Sequence, residues 1–416
     1  MNNASPGEER LPPPAPAGGA ACVRCGACMA VCPLYRLTGR EVAVARGKLN
    51  LWRLVQEGTL TSGTAVRDLL EFCLLCGACT EKCAVGLAVP ELIKEARAGA
   101  ADGTPALRPS WLLPRLAWQA PHLIPAAAPF APLLNRLKTW LGRESSLAYR
   151  LWPTLASALA HFPNLSRVPF RRQVPTLLPG RGRGRIALFT GCGLEALFPR
   201  AGLAFLSLCE KMGIEVVIPP EQGCCGLVAE SAGEMELSRT QARALVHTFA
   251  GLKVDAVVTA CASCSYRLKR LGRVLAGEPE EARARRLAGR VREAGEFLAG
   301  LAGFHPQTRA GALPAAYHDP CHLRRGQGIW EEHRHLLTLA LGEPPREAAT
   351  VECCGLGGVF GVTHPRLSRE LGEARLRAYR AAGAARVVTS CSGCLVQLIR
   401  VADDLPVAHW LEMVYI

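Results

Sequence analysis

The sequence predicts an α/β protein with a separate, smaller α-helical domain at its N-terminus, and three observations lead there. Eight cysteines near the N-terminus fall into two runs of identical spacing. Five more form a pattern that recurs 129 to 130 residues later. Around those ten, short β-rich apolar runs alternate with helical ones, as in parallel sheets covered by helices.

A chain of 416 residues is too long for one ordinary core and implies two or three domains. Residues 1–20, rich in Pro, Ala and Gly, show neither a basic n-region nor an apolar h-region. They read as a disordered tail. Without an export signal the expected compartment is cytoplasmic and reducing, where nineteen cysteines point to metal or redox chemistry rather than disulfides.

Cys22, Cys25, Cys28 and Cys32 form C-x2-C-x2-C-x3-C-P, and Cys73, Cys76, Cys79 and Cys83 repeat the spacing, with Ala84 where the proline would be. In the bacterial ferredoxin run of this type three thiolates wrap one [4Fe–4S] cluster and the fourth reaches the other. The spacing therefore assigns Cys22, Cys25, Cys28 and Cys83 to one cluster and Cys73, Cys76, Cys79 and Cys32 to a second. Structural zinc fits poorly, since it commonly uses two separated C-x2-C pairs. Apolar residues at helical spacing in 47–58 and in Thr64–Leu75 make this, over residues 21–100, a helical two-cluster ferredoxin domain.

A basic, Pro- and Trp-rich connecting segment follows over 101–185. Within it, Thr104–Arg185 holds twelve Arg or Lys against one acid, Glu144, so it carries +11 of the net +14. It contains no apolar run of spanning length, and its mixture of Arg, Trp and Leu suits an anionic lipid surface or a partner subunit. No nucleic-acid-binding motif accompanies the charge, so nucleic acid is not an expected partner.

The second constellation is C-x31-CC-x35-C-x2-C at Cys192, Cys224, Cys225, Cys261 and Cys264. It returns as C-x31-CC-x36-C-x2-C at Cys321, Cys353, Cys354, Cys391 and Cys394. This is an internal duplication, with copies over 186–300 and 301–416. RIALFTGC, VVIPPEQGCC and AVVTACASC each read as a strand ending at cysteine, as do AAYHDPC, ATVECC and RVVTSCSGC. Ligands gather at the carboxyl ends of parallel strands, so five thiolates per copy are expected to converge. Zinc on four of the five, a redox disulfide and an iron–sulfur cluster are the available readings. Cys209, outside both patterns, lies in a helical run and reads as a core thiol. His318, His322 and His409 lie near the motif, where packing or capping competes with ligation or hydrogen bonding to sulfur.

CVRCGACMAVCPLYRLTGREVAVARGKLNLWRLVQEG, then CLLCGACTEKCAVGL, then GCCG at Gly223–Gly226, HDPCH at His318–His322 and CCG at Cys353–Gly355, resembles the glycolate oxidase iron–sulfur subunit family. The layout is also similar to the catalytic iron–sulfur subunit of heterodisulfide reductase. The resemblance implies two duplicated α/β CCG domains behind the ferredoxin domain, each with a non-cubane [4Fe–4S] cluster on five cysteines. It implies an electron-transfer subunit that serves an FAD-containing 2-hydroxyacid dehydrogenase and passes electrons to a quinone or other membrane acceptor, with peripheral membrane contact through 104–185. Both late C-x2-C pairs are intact, which leaves a heterodisulfide-reductase-like reduction at a CCG cluster as the alternative. No P-loop and no G-x-G-x-x-G between strand and helix occurs, so no flavin or NAD is expected in this chain, and substrate oxidation is assigned to the partner.

Overall fold

The computed structural model describes residues 22–100, 128–141, 164–308 and 313–416. The tail expected over 1–20 and much of the basic segment expected over 101–185 lie outside these residues.

The N-terminal domain is helical, with helices at Ala27–Val31, Pro33–Thr38, Ala45–Gln56, Thr64–Glu71, Ala78–Glu81 and Val89–Gly99. Two of the short helices are launched by glycines in the left-handed region, Gly26 at φ 82° and Gly77 at φ 74°, a backbone conformation that costs a side chain roughly 1–2 kcal/mol. Pro33 opens its helix directly after Cys32, where a missing N–H is harmless. The helical stretch expected over Thr64–Leu75 ends at Glu71, because the chain must turn into the loop that carries Cys73. Leu49, Leu75, Leu87, Val89, Leu92 and Ile93 form the small core, and five of the eight cysteines pack against it.

Each following module is a parallel sheet between helices. In the first, strands β1 (Leu177–Leu178), β2 (Arg185–Leu188), β3 (Glu215–Val217), β4 (Ala256–Thr259) and β5 (Val291–Glu293) lie in the order β1-β3-β2-β4-β5, all parallel except β1. Ile186, Ala187 and Leu188 are buried, as are all four residues of β4, which fits a sheet covered on both faces. In the second, β6 (Ala315–Tyr317), β7 (Arg386–Thr389) and β8 (Val407–His409) form a parallel sheet in that order. The counterpart of β3 shrinks to one bridge, Ala316 to Arg346.

The two modules are related by a pseudo-twofold. The helix Ala262–Leu268 packs on the helix Cys321–Gln327, and its counterpart Ser392–Val401 packs on Gly191–Ala196. Likewise Pro199–Lys211 meets the turn Trp410–Met413, while Glu331–Leu341 meets Ala294–Ala299. Both of these small elements open with a capping box, Glu293 with Glu296 and His409 with Glu412.

The N-terminal domain docks on the first module through buried charge and on the second through partly exposed ion pairs. Arg97 donates to the carbonyls of Leu70, Glu71 and Cys73 at 2.9–3.2 Å and to that of Ser231 in the first module. Lys94 pairs with Glu230 at 2.7 Å and Glu91 at 3.1 Å, and Glu91 is also paired with Arg270 and accepts from Tyr266. On the other side Arg325 pairs with Glu81 at 2.7 Å and Arg36 with Glu352 at 2.8 Å.

Candidate iron–sulfur sites

The two N-terminal cysteine runs fold alike. Among the described residues Arg24 and Leu75 are the two non-glycines with positive φ, 56° and 53°, and each stands just before the second cysteine of its run. Such a conformation costs about 1–3 kcal/mol, so each loop is held in a shape the free chain avoids. A cavity of about 470 Å³ is lined by Cys32, Cys73, Cys76 and Cys79, with Lys48 at its wall. Another of about 370 Å³ is lined by Cys22, Cys25, Cys28, Cys79 and Cys83. The fourth cysteine of each run thus crosses to the other run's cavity. Backbone amides approach sulfur here, Leu75 N–H to Cys73 Sγ at 3.5 Å and Leu87 N–H to Cys83 Sγ at 3.4 Å.

The module cysteines also converge, though not all from strand ends. Cys192 and Cys321 lie in the first turn of the helices after β2 and β6, and Cys261 and Cys391 are the N-caps of the helices after β4 and β7. Cys264 and Cys394 sit one turn further on. The CC pairs differ from expectation: β3 stops at Val217, and a loop carries the chain on to Cys224 and Cys225. ATVECC forms no strand either, and Cys353 and Cys354 lie on a loop. The physical reason is Pro219 and Pro220 in the first copy and the reduced sheet edge in the second, both of which end ladder pairing early. Gly226 and Gly355 follow the pairs at φ 88° and 92°, and their amides point back at Cys224 Sγ (3.5 Å) and Cys353 Sγ (3.4 Å).

Side chain to side chain, the ten module thiols form one unbroken series. Cys192 interacts with Cys224, Cys224 with Cys225, Cys225 with Cys264 and Cys264 with Cys261. Cys261 then meets Cys391 of the second module, from which the series runs through Cys394, Cys354 and Cys353 to Cys321. Cys76 of the N-terminal domain lies close enough to Cys353 and Cys321 to feel their charge. Burial first, then Cys353, pushes the Cys76 thiol up to about 12. Hydrogen bonds from neighbouring thiols hold Cys224, Cys261 and Cys353 well below the usual range. The same bonds, with burial, drive Cys192, Cys264, Cys321 and Cys394 well above it.

The three histidines divide. His409 caps the turn Trp410–Met413 and its Nε2 lies 2.8 Å from the Ala260 carbonyl. His322 stacks on Tyr266 at 4.8 Å, with Nδ1 3.0 Å from Ser263 Oγ. His318 Nδ1 is 3.1 Å from the Tyr379 hydroxyl. Cys209 is fully buried, and burial alone raises its thiol pKa. The buried partners Arg97, Lys94, Glu230, Arg375 and Tyr379 were not singled out from the sequence. For Arg375 and Tyr379, superposing the copies would have found them, since their counterparts are Leu245 and Phe249.

Residues 19–87 match the family described as a 4Fe-4S dicluster domain, and residues 186–269 and 315–399 match the family described as a cysteine-rich domain. The chain is similar to a probable glycolate oxidase iron-sulfur subunit of Bacillus subtilis (strain 168), with 29% identity over 390 residues, 91% of this chain and 87% of that one. It is 27% identical over 403 residues to the glycolate oxidase iron-sulfur subunit of Escherichia coli (strain K12), covering 95% and 93%. Lactate utilization protein A of Geobacillus kaustophilus (strain HTA426) is 28% identical over 235 residues, 55% of this chain and 98% of that one. The chain therefore carries a helical 4Fe-4S dicluster domain followed by a duplicated cysteine-rich α/β domain, and over nearly its whole length it is similar to glycolate oxidase iron–sulfur subunits.

Proposed function

We propose that this chain is the iron–sulfur electron-transfer subunit of a flavin-linked 2-hydroxyacid oxidase or dehydrogenase, acting on glycolate or lactate. The observation that carries the reading is the continuous line of thiols from Cys76 through both modules. The two N-terminal cavities fit one four-cysteine cluster each, Cys22, Cys25, Cys28 and Cys83 in one and Cys73, Cys76, Cys79 and Cys32 in the other. Five sulfurs pressed together in each module cannot all ionise unless cationic metal lies among them. Five also exceed the four of a tetrahedral zinc site. The module residues therefore fit an iron–sulfur cluster each: Cys192, Cys224, Cys225, Cys261 and Cys264 in the first, Cys321, Cys353, Cys354, Cys391 and Cys394 in the second.

When bound, such clusters supply one-electron steps and no hydride chemistry, so an FAD-containing partner oxidises the substrate. Cys25 is exposed, between exposed Val23 and a second exposed apolar side chain, Val85, which makes this edge a fitting point of entry. Lys48 is buried against the second cavity and donates to the carbonyls of Val42 and Ala43, tying its wall together. Within the segment 104–185 proposed for peripheral contact, the helix Ala131–Leu141 exposes Leu133, Leu137 and Trp140. Among the described residues no helix is long and apolar enough to cross a membrane.

Anaerobic iron and sulfide analysis tests the reading. Four clusters give about sixteen irons per chain; about eight irons with stoichiometric zinc would remove the module clusters and leave the N-terminal pair. A second reading, disulfide reduction at a module cluster, is favoured by the two intact C-x2-C pairs. Turnover of a disulfide by the isolated, dye-reduced subunit would establish it over a relay alone.

A further inference from the structure

The duplication gives most residues of the second module a counterpart in the first, and among the pairs beside the cysteines that differ in chemistry are Phe189 and His318. Phe189 follows β2 and donates its amide to the Val258 carbonyl at 2.8 Å; His318 follows β6 and donates to that of Val388 at 2.8 Å. Phe189 meets Phe249 edge-on, with ring centroids 5.8 Å apart at 75°; His318 meets Tyr379 edge-on at 6.1 Å and 89°. Backbone position and ring packing are kept while an apolar pair becomes a polar one. One turn earlier on the same helix, Leu245 is replaced by Arg375, which is buried and sits 4.6 Å from the Tyr379 ring centroid.

A polar group buried without a partner is costly, so this substitution persists only where something compensates. Half the compensation is visible. His318 Nδ1 lies 3.1 Å from the Tyr379 hydroxyl; with the hydroxyl as donor, the proton of the neutral imidazole sits on Nε2. Nε2 itself is buried and has no hydrogen-bond partner. A ring nitrogen of His318, Cys354 Sγ and Cys394 Sγ all lie within 4.8 Å of one another. In the first module that place is apolar: a Cβ on Gly191 would lie 3.1 Å from Cys264 Sγ and 3.2 Å from Phe189 Cε1.

We propose that His318 donates a hydrogen bond from Nε2 to a sulfur of the second module's iron–sulfur cluster, at Cys354 or Cys394, and thereby holds that cluster at a higher reduction potential than its twin. The inference rests on the reading that both modules hold clusters. A donor aimed at cluster sulfur stabilises the added electron, and hydrogen bonding of this kind is among the terms that set such potentials. Tyr379 is the positioning residue, and the first module, with Phe at both places, lacks the device. The two modules are then inequivalent stations: the one next to Cys76 is the better electron acceptor.

The test uses the full chain purified anaerobically, with redox titration followed by EPR and pulsed EPR for weakly coupled nitrogen. His318→Phe installs the first module's own residue; Tyr379→Phe keeps the imidazole but removes the group that fixes its tautomer. With wild-type iron and sulfide, His318→Phe should move the midpoint of one module signal to a more negative value and abolish its weak imidazole nitrogen coupling. Tyr379→Phe should move the same midpoint in the same direction by less. An unchanged midpoint at wild-type iron content, or a strongly coupled nitrogen in wild type showing direct ligation, would overturn the proposal. If His318→Phe loses module iron, Tyr379→Phe decides by the same criterion. Wild-type protein with iron for the N-terminal clusters alone removes the underlying reading, and this inference with it.

Discussion

Cys261 and Cys391 are counterparts in the two modules, and their side chains lie close enough to influence each other, with Ser263 Oγ 3.1 Å from Cys391 Sγ. If both modules hold clusters, this is where an electron would cross from one cysteine set to the other. Cys391→Ser is expected to slow electron passage from the second module to the first by about tenfold, equivalent to ~1.4 kcal/mol of barrier. Freeze-quench EPR after mixing with a reduced dye reads this. Both module signals appearing at the wild-type rate would contradict it.

Cys76 and Cys25 occupy the same place in their two runs, yet only Cys76 lies against the second module. Cys76→Ser should interrupt reduction of both modules, whereas Cys25→Ser should spare transfer from the other N-terminal cluster onward. Stopped-flow absorbance with a dye that reduces the N-terminal domain separates the two. Equal losses in both variants would show that the modules are reached by another way.

Glu230 lies at the buried contact between the N-terminal domain and the first module. Burial would raise its pKa, but Lys94 and then Arg267 override that and hold it at about 2, against an ordinary 4.5. Because the folded value is the lower one, this stabilisation is complete above pH 4.5 and is lost as pH falls toward 2. The difference is worth roughly 3 kcal/mol. Glu230→Gln should therefore lower the urea midpoint clearly at pH 7, and the gap from wild type should close between pH 4.5 and 2. A gap independent of pH would mean that packing, not charge, is lost.

Arg97 is the donor for four carbonyls, and each buried carbonyl left unpaired costs about 1–3 kcal/mol. One belongs to Cys73, so the same side chain steadies the wall of the larger cavity. Arg97→Met is expected to destabilise the domain contact by several kcal/mol and to speed iron release to a chelator from that cavity. Release at the wild-type rate would confine Arg97 to the docking surface.

The cysteine pattern made much of this legible. Spacing alone proposes two N-terminal sets; Cys32, Cys73, Cys76 and Cys79 line one cavity, and Cys22, Cys25, Cys28, Cys79 and Cys83 line another. Helical runs are expected between the β-rich ones, and helices stand there at Met235–Phe249 and Pro365–Ala381. The CC pairs were misplaced at strand ends because Val216, Val217 and Ile218 read as one β run, whereas pairing stops before Pro219. The chain of charges from Lys94 to Arg270 was not legible, since its members are remote in sequence and unremarkable in local pattern. A buried ion pair leaves no periodic trace; it is seen only when the fold brings distant residues together.

The reciprocal packing of the two modules has a consequence for how such a chain is assembled. Each module lends the other the same two surfaces, helix to helix and turn to helix, with Cys261 and Cys391 near the axis. That is the geometry of an isologous dimer whose subunits have been joined end to end. A single module made alone would leave those surfaces bare and would satisfy them best against a second copy of itself. The tether between the modules fixes the pairing at one to one, and it also allows the halves to diverge, as they have at Phe189 and His318, in ways that two identical subunits could not.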